Sequence, residues 1–137
     1  KLAIEGTRYI LIEMPGTPFS KRSLQTLAKF KETTGYTPII AHLDRYISLF
    51  KTFNLPQLLS EMDVLVQFNA SSFLKFPNSI QALNLLKKDK VHLLGSDCHN
   101  LTSRLPNIDE AQKVITEKLG KQSIERLIKF ENLILGN

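Results

Sequence analysis

A carboxylate and an imidazole stand two residues apart, shortly after a brief apolar run. The run occupies residues 91–94, and Asp97 and His99 follow it. Short continuous apolar runs are typical of buried strands, and an Asp or His buried at a strand end is costly unless it is paired or bound to a metal. Oxygen and imidazole ligands suit Mn, Fe or Zn. The spacing therefore indicates metal chemistry, with Asp97 and His99 as the first candidate ligands.

Three further apolar runs also finish in a polar residue. They occupy residues 9–12, 38–41 and 64–68, and the residues that close them are Glu13, His42 and Asn69. Counting Asp97 as the fourth, successive polar residues are 27 to 29 positions apart. A (β/α)₈ barrel has roughly 31 residues per βα unit, and its chemistry gathers at the carboxyl ends of its strands. We therefore expect these four side chains to converge on one cleft.

Each of these residues has a structural alternative. Glu13 could cap a turn or pair with a lysine, and a His after an apolar strand is often only hydrogen-bonded. Asn69 could bind a ligand, orient a catalytic residue or fix a turn, which Asn does readily. Arg45 and Arg104 offer planar, permanently charged forks that suit phosphate, whereas the alternative is a surface ion pair of little energetic value.

Two other reactive side chains are assigned structural roles. Cys98 lies between Asp97 and His99, and we expect it to be a small buried packing residue. His92 lies inside the apolar run and is expected to be structural. No P-loop, dinucleotide-binding glycine fingerprint, Gly-x-Ser-x-Gly turn or Cys-x-x-Cys pair is present in the sequence.

Composition places the chain among ordinary globular proteins. Its 137 residues fit a single domain, residues 1–137. The net charge of +5 comes from scattered lysines, which indicates a solvated surface or an anionic substrate rather than nucleic-acid binding. No apolar run reaches the roughly 18 residues of a transmembrane helix, so no membrane insertion is expected. A single cysteine fits a reducing compartment, and a cytoplasmic location is predicted.

Helical patterns separate the four apolar runs. The sequence predicts helices over residues 20–33, 47–61 with an interruption near Pro56, 78–88, 108–118 and 123–135. Strands alternating with helices predict an α/β fold in which a parallel sheet is covered by helices.

The strand-end motifs resemble those of the polymerase and histidinol phosphatase (PHP) superfamily. The matching segments are ILIE at residues 10–13, PIIAHLDRY at 38–46, VQFNASS at 66–72 and SDCHN at 96–100, with Arg104 following. Their order and spacing are most similar to the bacterial manganese-dependent tyrosine phosphatases of capsule and exopolysaccharide synthesis.

The resemblance implies a distorted (β/α)₇ barrel with up to three divalent metals, Mn in the first place and Fe or Zn as alternatives. Glu13, His42, Asp97 and His99 would be the ligands, with Glu13 bridging. Arg45 and Arg104 would bind the phosphate as catalytic residues, and Asn69 would contact the substrate. The implied reaction is hydrolysis of phosphotyrosine by a metal-activated water. The implied partner is a phosphotyrosine protein, such as an autophosphorylating capsule tyrosine kinase.

The sequence departs from the family pattern in three respects. It lacks the His-x-His pair of the first family strand, it has Leu43-Asp44 where Pro-Glu is usual, and it has four strand units. We therefore expect a partial barrel that forms the C-terminal part of a phosphatase, with little activity alone and a tendency to self-associate. The alternatives are a non-catalytic remnant that binds a phosphorylated partner and a phosphoesterase that acts on small phosphomonoesters.

Overall fold

The computed structural model describes residues 3–15, 20–50, 64–100 and 106–136. Strands and helices alternate along most of this part of the chain. The elements are β1 (Tyr9–Ile12), α1 (Lys21–Thr34), β2 (Thr37–Ile40), α2 (Leu43–Phe50), β3 (Leu65–Asn69), α3 (Ser71–Leu74), α4 (Asn78–Lys87), β4 (Leu93–Gly95), α5 (Ile108–Leu119) and α6 (Lys121–Leu135).

The four strands form one parallel sheet in the order β1-β2-β3-β4. Leu11 pairs with Ile39 and Ile39 with Leu65, while Asn69 pairs with Gly95. The predicted parallel α/β architecture is therefore confirmed. Because all strands run the same way, their carboxyl ends meet at one edge of the sheet.

The helices pack on one face of this sheet. Side chains alternate between the two faces of a strand, and the residues Ile40, Val66 and Phe68 share one buried cluster with side chains from each of the six helices in the described ranges. Among the helical members are Leu27, Leu43, Phe73, Leu85, Ile115 and Leu127. The opposite face carries Leu11, Ile39, Gln67 and Asn69 by the same alternation. The polar strand-end residues of this second face form the candidate site.

Most helix predictions are confirmed within a few residues. Ser20 caps α1, because its hydroxyl accepts a hydrogen bond from the backbone N–H of Ser23 at 3.3 Å. The helix ends at Gly35, whose φ of 70° suits glycine. By contrast, α2 begins at Leu43, four residues before the predicted start, and the rest of the predicted second helix lies outside the described residues.

Two further features differ from the sequence prediction. The short helix α3 was not predicted. Burial of the first apolar run is also incomplete, because Leu11 retains 54% of its accessible surface on the edge strand β1. In the described ranges no helix is long and apolar enough to cross a membrane.

Candidate functional site

Two imidazoles and a carboxylate meet at the carboxyl end of the sheet. His42 follows β2 and Asp97 follows β4. The Nε2 atom of His42 lies 3.9 Å from Oδ1 of Asp97, and the Nδ1 atom of His99 lies 3.7 Å from the same oxygen. The side chains of His42 and Asp97 are 20% and 19% exposed, whereas that of His99 is 59% exposed. The predicted convergence of these three residues therefore occurs in a half-buried cleft.

Arg45 joins two acidic residues in this cleft. It lies in the first turn of α2, where its backbone N–H donates to the carbonyl oxygen of His42 at 3.0 Å. Its Nη1 donates to Oε1 of Glu13 at 2.9 Å, and its Nη2 donates to Oδ2 of Asp97 at 3.0 Å. Glu13 thus reaches the cleft through Arg45 rather than through either imidazole. A guanidinium binds carboxylate and phosphate oxygens with the same planar fork. A phosphate could therefore compete with Glu13 and Asp97 for Arg45, and a metal cation could compete with Arg45 for the two carboxylates.

The backbone turns sharply at both His42 and Asp97. Their φ angles are 51° and 50°, and among the described residues other than glycine only Asp89 shares this left-handed conformation. Such a conformation is uncommon for residues with a Cβ and costs on the order of 1–3 kcal/mol. At both positions it turns the chain away from the strand direction two residues after the strand ends. Two of the three instances lie at candidate ligands.

Asn69 holds His42 in place. It is the last residue of β3 and is only 6% exposed. Its Oδ1 lies 2.7 Å from Nδ1 of His42. Of the alternatives that the sequence left open, this contact favours orientation of another site residue, while contact with substrate stays a prediction.

Asp44 is a site residue that the sequence analysis did not single out. Its Oδ1 accepts the backbone N–H of Asn69 at 2.9 Å, and its Oδ2 accepts the hydroxyl of Ser72 at 2.8 Å. The carboxylate therefore ties the start of α2 to the end of β3. The sequence signal that could have identified it is an acid immediately before Arg45 and two residues after His42.

Tyr46 anchors the segment that carries Glu13. Its hydroxyl donates to the carbonyl oxygen of Met14 at 2.5 Å and lies 3.3 Å from that of Pro15. Burial raises the pKa of the Tyr46 phenol, and the Glu13 carboxylate adds to the rise while Arg45 opposes it. Tyr46 is therefore a neutral donor that holds the backbone after β1 against α2.

His92 has the structural role that was predicted. Its Nδ1 accepts the backbone N–H of Val66 at 3.0 Å, and its ring packs edge-on against Phe130 with centroids 4.8 Å apart. Burial, with a contribution from Lys90, lowers the pKa of His92 to about 4. This imidazole is therefore neutral and lies just before β4, against Val66 and Phe130, rather than in the cleft.

The sequence predictions for Cys98 and Arg104 have different outcomes. Cys98 is exposed, so its predicted burial is wrong. The reason is that β4 ends at Gly95 and the turn at Asp97 takes the chain out of the sheet, leaving the thiol donating to the carbonyl oxygen of Asn100 at 3.5 Å. Arg104 lies outside the described residues.

The donor set can be tested against the metal that the sequence implies. Over the described ranges, no three or more His, Cys, Asp or Glu side chains are already arranged to hold a metal ion. The chemistry of the donors nevertheless fits. The Nδ1 atom of His99 lies 2.8 Å from the carbonyl oxygen of Asp97, which can only accept, so the neutral ring keeps its lone pair on Nε2. Metal-binding imidazoles are commonly oriented in this way, through the nitrogen that does not bind the metal.

Known proteins resemble this chain along nearly its whole length. The family described as capsular polysaccharide synthesis, CpsB/CapC, matches residues 1–134. The chain is 31% identical to the tyrosine-protein phosphatase CpsB of Streptococcus agalactiae serotype III, in an alignment that covers 98% of this chain and 58% of that protein. It is 31% identical to CpsB of Streptococcus pneumoniae, with coverage of 90% and 54%.

A solved structure agrees with these sequence matches. It comes from work on YwqE from Bacillus subtilis and CpsB from Streptococcus pneumoniae, described as unique metal-dependent tyrosine phosphatases. It superposes with a TM-score of 0.85 at 26% identity and covers 99% of this chain but 56% of the solved one. The chain thus spans about half the length of the curated relatives it matches.

Proposed function

The chain belongs to the CpsB/CapC family of capsular polysaccharide synthesis, and we propose that its cleft supplies metal- and phosphate-binding residues to a metal-dependent protein-tyrosine phosphatase. The family resemblance predicted from the strand-end motifs and the α/β fold predicted from the alternation of strands and helices are confirmed. Names of the relatives support the proposed activity, since the similar proteins are called tyrosine-protein phosphatases.

One observation carries the proposal. The segments that follow β2 and β4 bring His42, Arg45, Asp97 and His99 together, and Glu13 after β1 is attached through the arginine. A mixed imidazole and carboxylate set is the donor chemistry of Mn, Fe and Zn sites, and a guanidinium beside it suits a phosphoryl group. A structural role alone does not require both kinds of group in one cleft.

The proposed roles follow from the chemistry of each side chain. Glu13, His42, Asp97 and His99 would hold divalent metal, Mn in the first place. When bound, such an ion supplies Lewis acidity and lowers the pKa of water towards neutrality. Arg45 would bind phosphoryl oxygens and offset the charge that develops on them, with Arg104 as its expected counterpart. Asn69 and Tyr46 would keep the metal-binding groups oriented.

The substrate and location are part of the same proposal. A phosphotyrosine protein is the proposed substrate class, which the names of the relatives support, and an autophosphorylating capsule tyrosine kinase is the proposed partner. A cytoplasmic location accords with a chain whose single cysteine forms no internal disulfide.

Metal binding by the chain tests the first half of the proposal. We expect isothermal titration of Mn²⁺ into the purified chain to give saturable binding that Asp97→Asn weakens by at least about tenfold, because carboxylate ligands carry the charge that binds the ion. Glu125→Gln is the matched control, since Glu125 is an exposed acid on α6. Absence of binding by the unmodified chain, or equal loss in both variants, would contradict the proposal.

Anion selectivity tests the second half of the proposal, which is that the cleft binds the phosphate of phosphotyrosine. Orthovanadate should bind more tightly when Mn²⁺ is present, and a phosphotyrosine peptide should displace it more effectively than glycerol phosphate. Equal displacement by the two phosphates would support a phosphoesterase for small substrates instead. Equal vanadate affinity with and without Mn²⁺ would contradict the proposal that metal and phosphate bind in the same cleft.

A further inference from the structure

A buried glutamine lies behind the candidate ligand His42. Gln67 is in the middle of β3 and is 6% exposed. It interrupts an otherwise apolar run, Leu65-Val66-Gln67-Phe68. A buried amide is costly unless its polar atoms are satisfied, so its hydrogen bonds indicate why it is tolerated there.

The orientation of the Gln67 amide follows from its partners. The backbone N–H of His42 donates to Oε1 of Gln67 at 2.8 Å, and a backbone N–H can only donate. The other terminal atom is therefore the nitrogen, which donates to the carbonyl oxygen of Phe68 at 2.9 Å. Both contacts require the same orientation of the amide.

This orientation determines the next amide and then the imidazole. The Nε2 atom of Gln67 lies 3.5 Å from the side chain of Asn69, and since the nitrogen donates, the facing atom of Asn69 is the acceptor Oδ1. The same Oδ1 lies 2.7 Å from Nδ1 of His42. An amide oxygen only accepts, so Nδ1 carries the proton and Nε2 keeps the lone pair, on the side that faces Asp97.

Gly95 makes room for this arrangement. It pairs with Asn69 in the sheet, and a Cβ atom added at Gly95 would overlap Nε2 of Gln67. The φ angle of Gly95 is not positive, so its backbone conformation does not by itself require glycine. The requirement for glycine at this position is therefore one of space for the glutamine amide.

We propose that Gln67, seated against Gly95, is a positioning residue that acts through Asn69 to fix His42 as the tautomer with a proton on Nδ1 and a lone pair on Nε2. The consequence for metal binding rests on the proposed function, whereas the tautomer itself does not. Partners of the non-binding nitrogen typically change metal affinity by 10–100-fold when they are altered.

Gln67→Glu tests the relay because it removes, with little change of shape, the donor that faces both Asn69 and the carbonyl oxygen of Phe68. The carboxylate still accepts the N–H of His42 but cannot donate to Asn69. Asn69 must then turn its nitrogen towards residue 67, and the same nitrogen faces Nδ1 of His42, which becomes the acceptor. The relay therefore predicts a proton on Nε2 and about 10–100-fold weaker Mn²⁺ binding. Simple electrostatics predicts tighter Mn²⁺ binding instead, because the substitution adds a negative charge near a cation site.

Long-range ¹H–¹⁵N correlation spectra of the histidine rings give the direct measurement. In alkaline buffer, where imidazoles are neutral, His42 should show the Nδ1–H tautomer. His92 is an internal reference of opposite type, because its Nδ1 accepts the N–H of Val66. Gln67→Glu should convert His42 and leave His92 unchanged, while Gln25→Glu, at an exposed position of α1, should convert neither.

A second variant and the unmodified chain keep the test decisive. Gly95→Ala displaces the glutamine without adding charge and should also reduce the Nδ1–H population of His42. An Nε2–H tautomer in the unmodified chain overturns the proposal even if both variants fail to fold, as does retention of the Nδ1–H tautomer in folded Gln67→Glu. Conversion of the tautomer in a protein that binds no Mn²⁺ would support the relay and overturn the proposed metal site.

Discussion

The Nη2 atom of Arg45 lies 3.0 Å from Oδ2 of Asp97, and the other terminal nitrogen of the same guanidinium binds Glu13. Glu13 follows β1 and Asp97 follows β4, which are the two edge strands of the sheet. One arginine therefore spans the whole carboxyl edge. Two carboxylates from opposite edges of the sheet therefore share one guanidinium.

Arg45→Ala should weaken orthovanadate binding in the presence of Mn²⁺ by about 10–100-fold, since losing a charge-assisted hydrogen bond costs on the order of 1.5–3 kcal/mol. Mn²⁺ affinity should be retained or increased, because a cation that competes for Glu13 and Asp97 is removed. Isothermal titration measures both, with Arg22→Ala on the exposed side of α1 as the control. Unaltered vanadate affinity would show that Arg45 only forms a structural ion pair and does not bind phosphate.

Tyr46→Phe should lower the free energy of unfolding by about 1 kcal/mol, because it removes the hydrogen bond to the carbonyl oxygen of Met14. It should also weaken Mn²⁺ binding, since the segment bearing Glu13 is no longer held against α2. Urea denaturation and metal titration are the measurements. Tyr36→Phe, at a residue that is 38% exposed, should change neither quantity, and an equal effect of both substitutions would show that the anchoring argument is wrong.

Stability should fall on acidification through His92. Its pKa in the folded chain is about 4 against an ordinary value of 6.5, so the unfolded state binds more protons between these values. The contribution of the neutral ring is fully present above pH 6.5, declines as the pH falls towards about 4 and then levels off. His92→Gln keeps an acceptor near Val66 but cannot titrate. In this variant the urea midpoint should therefore depend less on pH between about pH 4 and 6.5. An unchanged slope would exclude His92 as its source.

Self-association should depend on the edge strand β1. Leu11 exposes 54% of its surface on the sheet face away from the helices, and an apolar edge strand is prone to pair with another chain. Leu11→Thr removes apolar area but keeps a residue that favours strands, and it should shift sedimentation velocity profiles towards monomer. Leu133→Gln, at a residue that is 59% exposed on α6, is the control. A monomeric unmodified chain would contradict the expectation.

The 137-residue chain by itself should show little or no hydrolysis of a phosphotyrosine peptide. Four candidate ligands are few for a cluster of two or three ions that prefer octahedral coordination. Metal-dependent release of phosphate, followed together with sedimentation of the same sample, is the measurement. Robust turnover by a monodisperse monomer would contradict the expectation and show that these ligands suffice.

The order of elements and the position of the cleft were predictable from local patterns. Apolar runs that end in Glu13, His42, Asn69 and Asp97 recur at 27 to 29 residues, and parallel strands necessarily bring their carboxyl ends to one edge. The pattern could not predict which strand lies at the edge, so the exposure of Leu11 was missed. It also placed Cys98 in the interior, because alternation fails where the backbone turns at Asp97.

The sequence by itself therefore determined the parallel α/β sheet, the helices that cover it and the set of polar residues at its carboxyl edge, since hydrophobic periodicity and strand polarity are properties of short segments. Only the tertiary structure decided which atoms meet. The contacts of Arg45 with two strand ends, and of Gln67 with Gly95 and Asn69, depend on distances between segments far apart in the chain. Such contacts are set by strand register and by the space that neighbouring side chains leave, and neither quantity is encoded in any one segment.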